Sequence, residues 1–354
     1  MVPVHGRPGG QLPIIPVALL KKHHVHEKYD TRFRSCARLL QSLWRERQGL
    51  PIGVHRDREG RKRRLGSMLS TQATDTGRNF MNPAVAHLVR REVAYQEAGA
   101  LIDRQRLYGN LLSSMPLAFN AFAPLAFDKA LAAKVMRSLL PDRDIAIVRQ
   151  VRFEHSPGRR DPALTGDRSA FDVALFYERS DGGPGFVGIE VKYSEGMTEP
   201  APSALNERYE VLAPASGLFK EPLHAALRVN PLQQVFREHL LAQAMLMRGD
   251  VAEATFVFLA PRHNHLVQQA ASLYTSFLTP CDDTQARFAN VHLEQFVDAL
   301  GWAGAGDEAL SLHDRYLDWR QVDQVVEDAL LRSGQGWDPI VPASRPLRLI
   351  GQAA

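Results

Sequence analysis

The sequence predicts a mixed α/β (α+β) fold, with a central mixed β-sheet of at least four strands flanked by helices and additional N- and C-terminal helices. Three observations carry this. Residues 144–154, 169–177 and 185–193 are rich in β-branched and aromatic residues, and the last two runs are separated by Glu178-Arg-Ser-Asp-Gly-Gly-Pro184, the turn formers of a β-hairpin. A helix opening at Asn230-Pro231 and running to about Arg248 precedes a short buried-type strand, residues 254–260. The composition, 45% hydrophobic and 23% charged over 354 residues, is that of a globular chain of one large or two modest domains.

The elements follow in order. Residues 1–75 form a basic, partly irregular arm. Its first 26 residues are rich in Gly, Pro and His, and His23, His24 and His26 in so loose a stretch are weak metal ligands. Residues 29–47 place Phe33, Cys36, Leu39, Leu40, Leu43 and Trp44 at helical spacing, an amphipathic helix with a basic outer face. Residues 51–66 read as a charged connector. The main domain is expected over residues 76–335, with its core at about 107–262 and C-terminal helices over 266–333; residues 336–354 are an irregular tail. Within it, Asn82-Pro83 caps a helix to about Ala98, and residues 108–122 form a strongly apolar helix. Pro124 allows a restart into a helix reaching Leu140, and residues 144–154 are the first strand. Residues 266–300 and 310–333 read as helical.

Charge is unevenly spread. Residues 1–75 carry 15 Lys and Arg against 6 Asp and Glu, whereas the whole chain carries 43 against 39. Arg56, Arg58, Arg61, Lys62, Arg63 and Arg64 could lie along a phosphate backbone and release counterions, or serve as a solubilising extension. The two cysteines, Cys36 and Cys281, have no metal-like spacing and allow one bridge at most, which points to a reducing cytoplasm. The longest N-terminal apolar stretch is interrupted by Pro13 and Pro16 and is too short to span a bilayer, so no membrane role is expected.

The chemistry concentrates in the hairpin. Side chains two apart share a strand face, so Glu190 and Lys192 are neighbours, and folding about the Gly-Gly turn brings Asp172 roughly opposite Glu190. The other face of the second run, Val187, Ile189, Val191 and Tyr193, wants a core. Charged groups in a strand buried on both sides are paired or bind metal. A cross-strand ion pair on a solvated face is the plain alternative.

This element order, with Asp172 on the second strand and Glu190-x-Lys192 on the third, resembles the PD-(D/E)XK nuclease superfamily. The strings Asn110-Leu-Leu-Ser-Ser114, Phe119-Asn120, Ser169-Ala-Phe-Asp172 and Gly188-Ile-Glu-Val-Lys-Tyr193 are similar to a bacterial group described as restriction endonucleases, over roughly residues 60–330. The resemblance implies a restriction-endonuclease-like sheet and a metal-dependent nuclease acting on DNA. In it Asp172 and Glu190 would bind Mg²⁺ (or Mn²⁺) together with the backbone carbonyl of Val191, and Lys192 would be the catalytic lysine. Mg²⁺ favours hard oxygen ligands and needs only one or two carboxylates besides phosphate oxygens. Lys192 could orient or deprotonate the attacking water, or stabilise the transition state. Phe171 stands where the family motif has Pro. Many members add a Glu from the helix before the first strand; here that helix offers only Asp128, so Glu154 and Glu195 are the alternatives. On the helix after the third strand Gln234 and Arg237 share a face, the first for water or phosphate and the second for phosphate, while Gln233 lies about 100° away. Arg61, Lys62, Arg63 and Arg64 complete the expected nucleic-acid contacts. A homodimer is one expectation for a duplex cutter, although no residue pattern specifies it.

The string His263-Asn264-His265 reads as a loop, and no phosphate loop, dinucleotide fingerprint or zinc-spaced Cys/His set is present. The competing reading is a member of the same fold that binds nucleic acid without cutting it.

Overall fold

The computed structural model describes residues 10–56, 59–100, 102–198 and 207–333. Two sheets are present in it. Strands β1 (Ile52–Arg56) and β2 (Lys62–Leu69) pair as an antiparallel hairpin. Strands β3 (Ile147–His155), β4 (Phe171–Glu178), β5 (Pro184–Val191), β6 (Glu253–Ala260) and β7 (Arg287–His292) form one five-stranded sheet in chain order. The first three strands are antiparallel, and β6 and β7 add in parallel to β5. Parallel addition needs crossovers, which are supplied by the helices Gln233–Arg248 and His265–Phe277.

β7 lies inside the stretch expected to be helical over 266–300. The helix His265–Phe277 ends shortly before Pro280, and Asp282 then accepts the amide and hydroxyl of Thr284, a side-chain turn that redirects the chain into β7. The helix Leu293–Trp302 follows it.

Other expected boundaries move for similarly local reasons. Pro124 sits inside the helix Ser114–Phe127, and the break comes at Asp128, whose carboxylate caps the amides of Ala130 and Leu131 at 2.8 and 2.9 Å. Asp128 therefore caps the helix Lys129–Leu139. Ahead of Ser114 a short helix, Arg104–Gly109, stands apart because Asn110 turns back on the amide of Leu112. The helix expected from Pro231 starts at Gln233, since the amides of Leu232 and Gln233 both donate to the carbonyl of Val229 in a preceding turn.

The N-terminal region is built into the molecule. The supposed connector is the β1–β2 hairpin, and the amide of Leu111 donates to Ser67 of β2. The helix Arg32–Arg47 is buried on more than its apolar stripe. Arg38 turns inward to Asp30 at 2.7 Å and to Ser67, and Arg45 reaches the Gly66 carbonyl at 2.9 Å, so the outer face is less basic than expected. Arg61 pairs with Glu59 and Arg63 with Glu27, while Lys62 and Arg64 are exposed; Arg58 and residues 336–354 lie outside the described residues. No described helix is long and apolar enough to cross a membrane.

The sheet is buried on both faces. Val187, Ile189, Val191 and Tyr193 enter one core with the helices Arg32–Arg47 and Ser114–Phe127. Phe171, Ala174 and Phe186 enter the other with Phe236 and Leu240 of the crossover helix. At Gly188 a Cβ would lie 2.5 Å from the Phe171 ring, so the close approach of that ring requires glycine.

Candidate active site

Register builds the site. β4 pairs with β5 through Val173 and Ile189, so the next step outward sets Asp172 across from Glu190. β3 pairs with β4 through Phe153 and Val173 and again through His155 and Phe171, which sets Glu154 across from Asp172. Three carboxylates thus stand in one row across three adjacent strands. Glu154 holds φ at +49°, a left-handed conformation uncommon for a side-chain-bearing residue inside a strand, and such strain collects at sites that use it.

Lys192 follows β5 directly, and its amide continues the parallel ladder to Leu259. Glu190 and Lys192 are each only 4% exposed, and the ammonium lies 2.9 Å from Glu190 Oε1. Gln234 joins them. Its Oε1 accepts from Lys192 Nζ at 2.8 Å, and its Nε2 donates to Glu190 at 2.6 Å and to Glu238 Oε1 at 2.9 Å. Gln233 turns away toward Asn230, in keeping with its position around the helix. Arg237 lies against Asp167 at 3.5 Å, beside the bond from the Tyr209 hydroxyl to the same oxygen.

Electrostatics at the row are dominated by burial and like charge. Burial, then Glu190 and Glu154, push the Asp172 carboxyl well above the usual range, against Lys192 and the Val191 amide, which donates to Asp172 Oδ2 at 2.8 Å. Burial and Glu190 raise Glu154 to about 7. Glu238 is likewise raised by burial and then by Glu190, and its Oε2 is buried without a hydrogen-bond partner.

Glu195 behaves differently. Burial raises its carboxyl, but Lys192, the amides of Ser114 and Tyr193 and then Arg106 outweigh it, and the group lies below its ordinary value. Its oxygens accept from those two amides at 2.9 Å each, with Arg106 at 3.4 Å, so Glu195 fastens the segment after Lys192 to the first turn of the helix Ser114–Phe127. Asn264 fastens the same segment from the other side, donating to the carbonyls of Tyr193 and Glu195 at 3.0 Å each. The His-Asn-His string is thus the turn into the helix His265–Phe277, whose first residue is its second histidine, and its middle residue is a clamp.

Two participants escape a reading of the sequence. Glu238 carries a weak signal, as it lies one turn beyond Gln234 on the same helix face. Asn264 carries none, because its partners are distant in the chain.

The arrangement fits a divalent cation by its donor chemistry. Asp172, Glu190, Glu154 and Glu238 gather near one ammonium; burial and then the charge of Glu190 raise the carboxyls of Asp172, Glu154 and Glu238, and one Glu238 oxygen is buried without a hydrogen-bond partner. Among the described residues no three His, Cys, Asp or Glu side chains converge as a ready-made metal cage. An Mg²⁺-type site does not require one.

No curated protein and no solved structure matches the chain. A family model does, over residues 28–318, and it spans both the N-terminal elements and the carboxylate row. The match covers most of the chain, and the protein belongs to the PD-(D/E)XK nuclease superfamily.

Proposed function

We propose that this protein is a metal-dependent nuclease that hydrolyses DNA phosphodiester bonds at the end of β4 and β5. The observation that carries the reading is the row of Asp172 and Glu190 with Lys192 beside it, buried within a fold whose superfamily has nuclease chemistry. Asp172, Glu190 and the Val191 carbonyl would hold Mg²⁺ or Mn²⁺. When bound, the ion supplies Lewis-acid chemistry, acidifying water and offsetting charge on phosphoryl oxygens. Glu190 and Gln234 fix the Lys192 ammonium, which serves as an oriented positive charge for the transition state; an ammonium held against a carboxylate is poorly placed to act as a base. Glu154, across from Asp172, is the carboxylate best placed to assist the row. Glu195 serves better as an anchor, since both its oxygens are occupied. The sequence resemblance to bacterial restriction endonucleases suggests a role in restriction or phage defence.

Incubation with plasmid DNA and Mg²⁺ or Mn²⁺ tests this. The wild-type protein should nick or cut the plasmid, and Asp172→Ala and Lys192→Ala should each lower the rate by about 100-fold or more. Equal cleavage by both variants would sink the site assignment. The second reading, a binder that does not cut, draws support from the helices before β3, whose one acid between residues 108 and 140, Asp128, is used as a cap. Salt-dependent DNA binding with no calorimetric signal for either ion would favour it.

A further inference from the structure

The β1–β2 hairpin, the start of the short helix Thr71–Asp75 and the helix Arg104–Gly109 enclose a solvent-open cleft of ≈ 830 Å³. Lys62, Arg90 and Arg104 line it with Thr71 and Tyr108, and Asp75 is the one acid among the described residues of the lining. All three cations are exposed, and none has an ion-pair partner among the described residues. This sets them apart from their neighbours Arg61 and Arg63, which are neutralised by Glu59 and Glu27. Burial raises the Tyr108 phenol while Arg104 and then Arg90 pull it down, so both guanidinium groups stand near that hydroxyl from different elements.

The cleft and the candidate active site share a wall. On the helix Arg104–Gly109, Arg104 faces the cleft while Arg106 reaches Glu195, three residues beyond Lys192. The chain then passes from that helix to Leu112, whose carbonyl accepts from Ser194 beside the site. A strand leaving the carboxylate row along this wall would meet the three cations next. Guanidinium forks suit phosphate oxygens, hydroxyls add neutral donors, and the volume is far larger than a lone anion needs.

We infer that this cleft binds the phosphodiester backbone of the DNA substrate away from the cutting point, an inference that rests on the nuclease reading above. Lys62, Arg90 and Arg104 each neutralise a phosphate there, and Tyr108 donates its hydroxyl or lends its ring edge.

The test is fluorescence anisotropy with a labelled DNA duplex and its separated strands, in the Asp172→Ala background so that no cutting intervenes, across a salt series. Combining Lys62→Gln, Arg90→Gln and Arg104→Gln should weaken binding by about 10-fold or more and reduce the duplex salt slope by about 2 to 3, as expected for three lost phosphate contacts. Arg90→Lys with Arg104→Lys should retain most of the affinity, and Lys134→Gln, on an exposed face elsewhere, should change nothing. Affinity and slope unchanged in the triple Gln variant would overturn the inference while leaving plasmid cleavage by the wild-type protein to stand or fall on its own. Competition by a mononucleotide or inorganic phosphate as effective as the oligonucleotide would also overturn it, marking a small-anion site. Absence of DNA binding by any form would overturn both this inference and the nuclease reading.

Discussion

At Asp172 burial and like charge act in the same direction, and Lys192 and one backbone amide oppose them. Gln234 is what keeps that balance organised, because a single amide presents its acceptor to Lys192 and its donors to Glu190 and Glu238. Gln234→Leu removes all three bonds with little change in volume. Metal-dependent cleavage should fall by about 10- to 100-fold while the variant keeps the wild-type circular dichroism. Full activity in the variant would show that Lys192 and Glu190 hold their places unaided. The residues of this site were unevenly legible in the sequence. Asp172, Glu190 and Lys192 can be read from two strands and one turn, since period-two alternation and hairpin register are local rules. Glu154 could only be left as an alternative to Glu195, because its place in the row depends on β3, whose register shifts between Val148 and Gln150.

Among the elements, the crossover helix Gln233–Arg248 links chemistry to stability. Gln234 and Glu238 face the site, while His239 packs below the sheet, its Nε2 at 2.7 Å from the Ala286 carbonyl and its Nδ1 at 2.9 Å from the Tyr274 hydroxyl. These partners assign the proton to Nε2. Burial lowers the ring to about 4 from an ordinary 6.5, against the Ala286 bond. The unfolded chain therefore takes up a proton that the folded ring refuses. The stabilisation is fully present above pH 6.5 and is lost as pH falls through about 4, amounting to about 3 kcal/mol over that range. Urea unfolding should show the wild-type protein losing that much more on acidification than His239→Asn, which cannot take up the proton. Identical pH slopes would refute the assignment. The helix itself was legible from its period; its start was not, because a turn at Val229 rather than a cap sets it. β7 was hidden for a related reason: its six residues lie between two real helices, and only pairing with β6 makes them a strand.

In the whole molecule the sheet could be expected from the sequence, but the docking of the N-terminal region could not. Local composition made residues 1–75 look like an arm, yet Gln41 donates to the Tyr193 hydroxyl and to the Arg315 carbonyl. Arg315 is fully buried, held by Asn79 at 2.7 Å and laid over the Trp44 ring at 4.0 Å. Such contacts join residues 152 to 274 apart in the chain, beyond the reach of periodicity or turn chemistry. They brace one face of β5 against the N- and C-terminal helices, so the row on its opposite face is carried by a packed scaffold. The proposed cleavage requires that row to hold a metal ion. A crystal structure of the protein soaked in Mn²⁺ and recorded at the Mn absorption edge tests this directly. An anomalous peak shared by Asp172, Glu190 and the Val191 carbonyl is the expected result. An ordered Mn²⁺ elsewhere, with Asp172 and Glu190 bare at saturating metal, would contradict it.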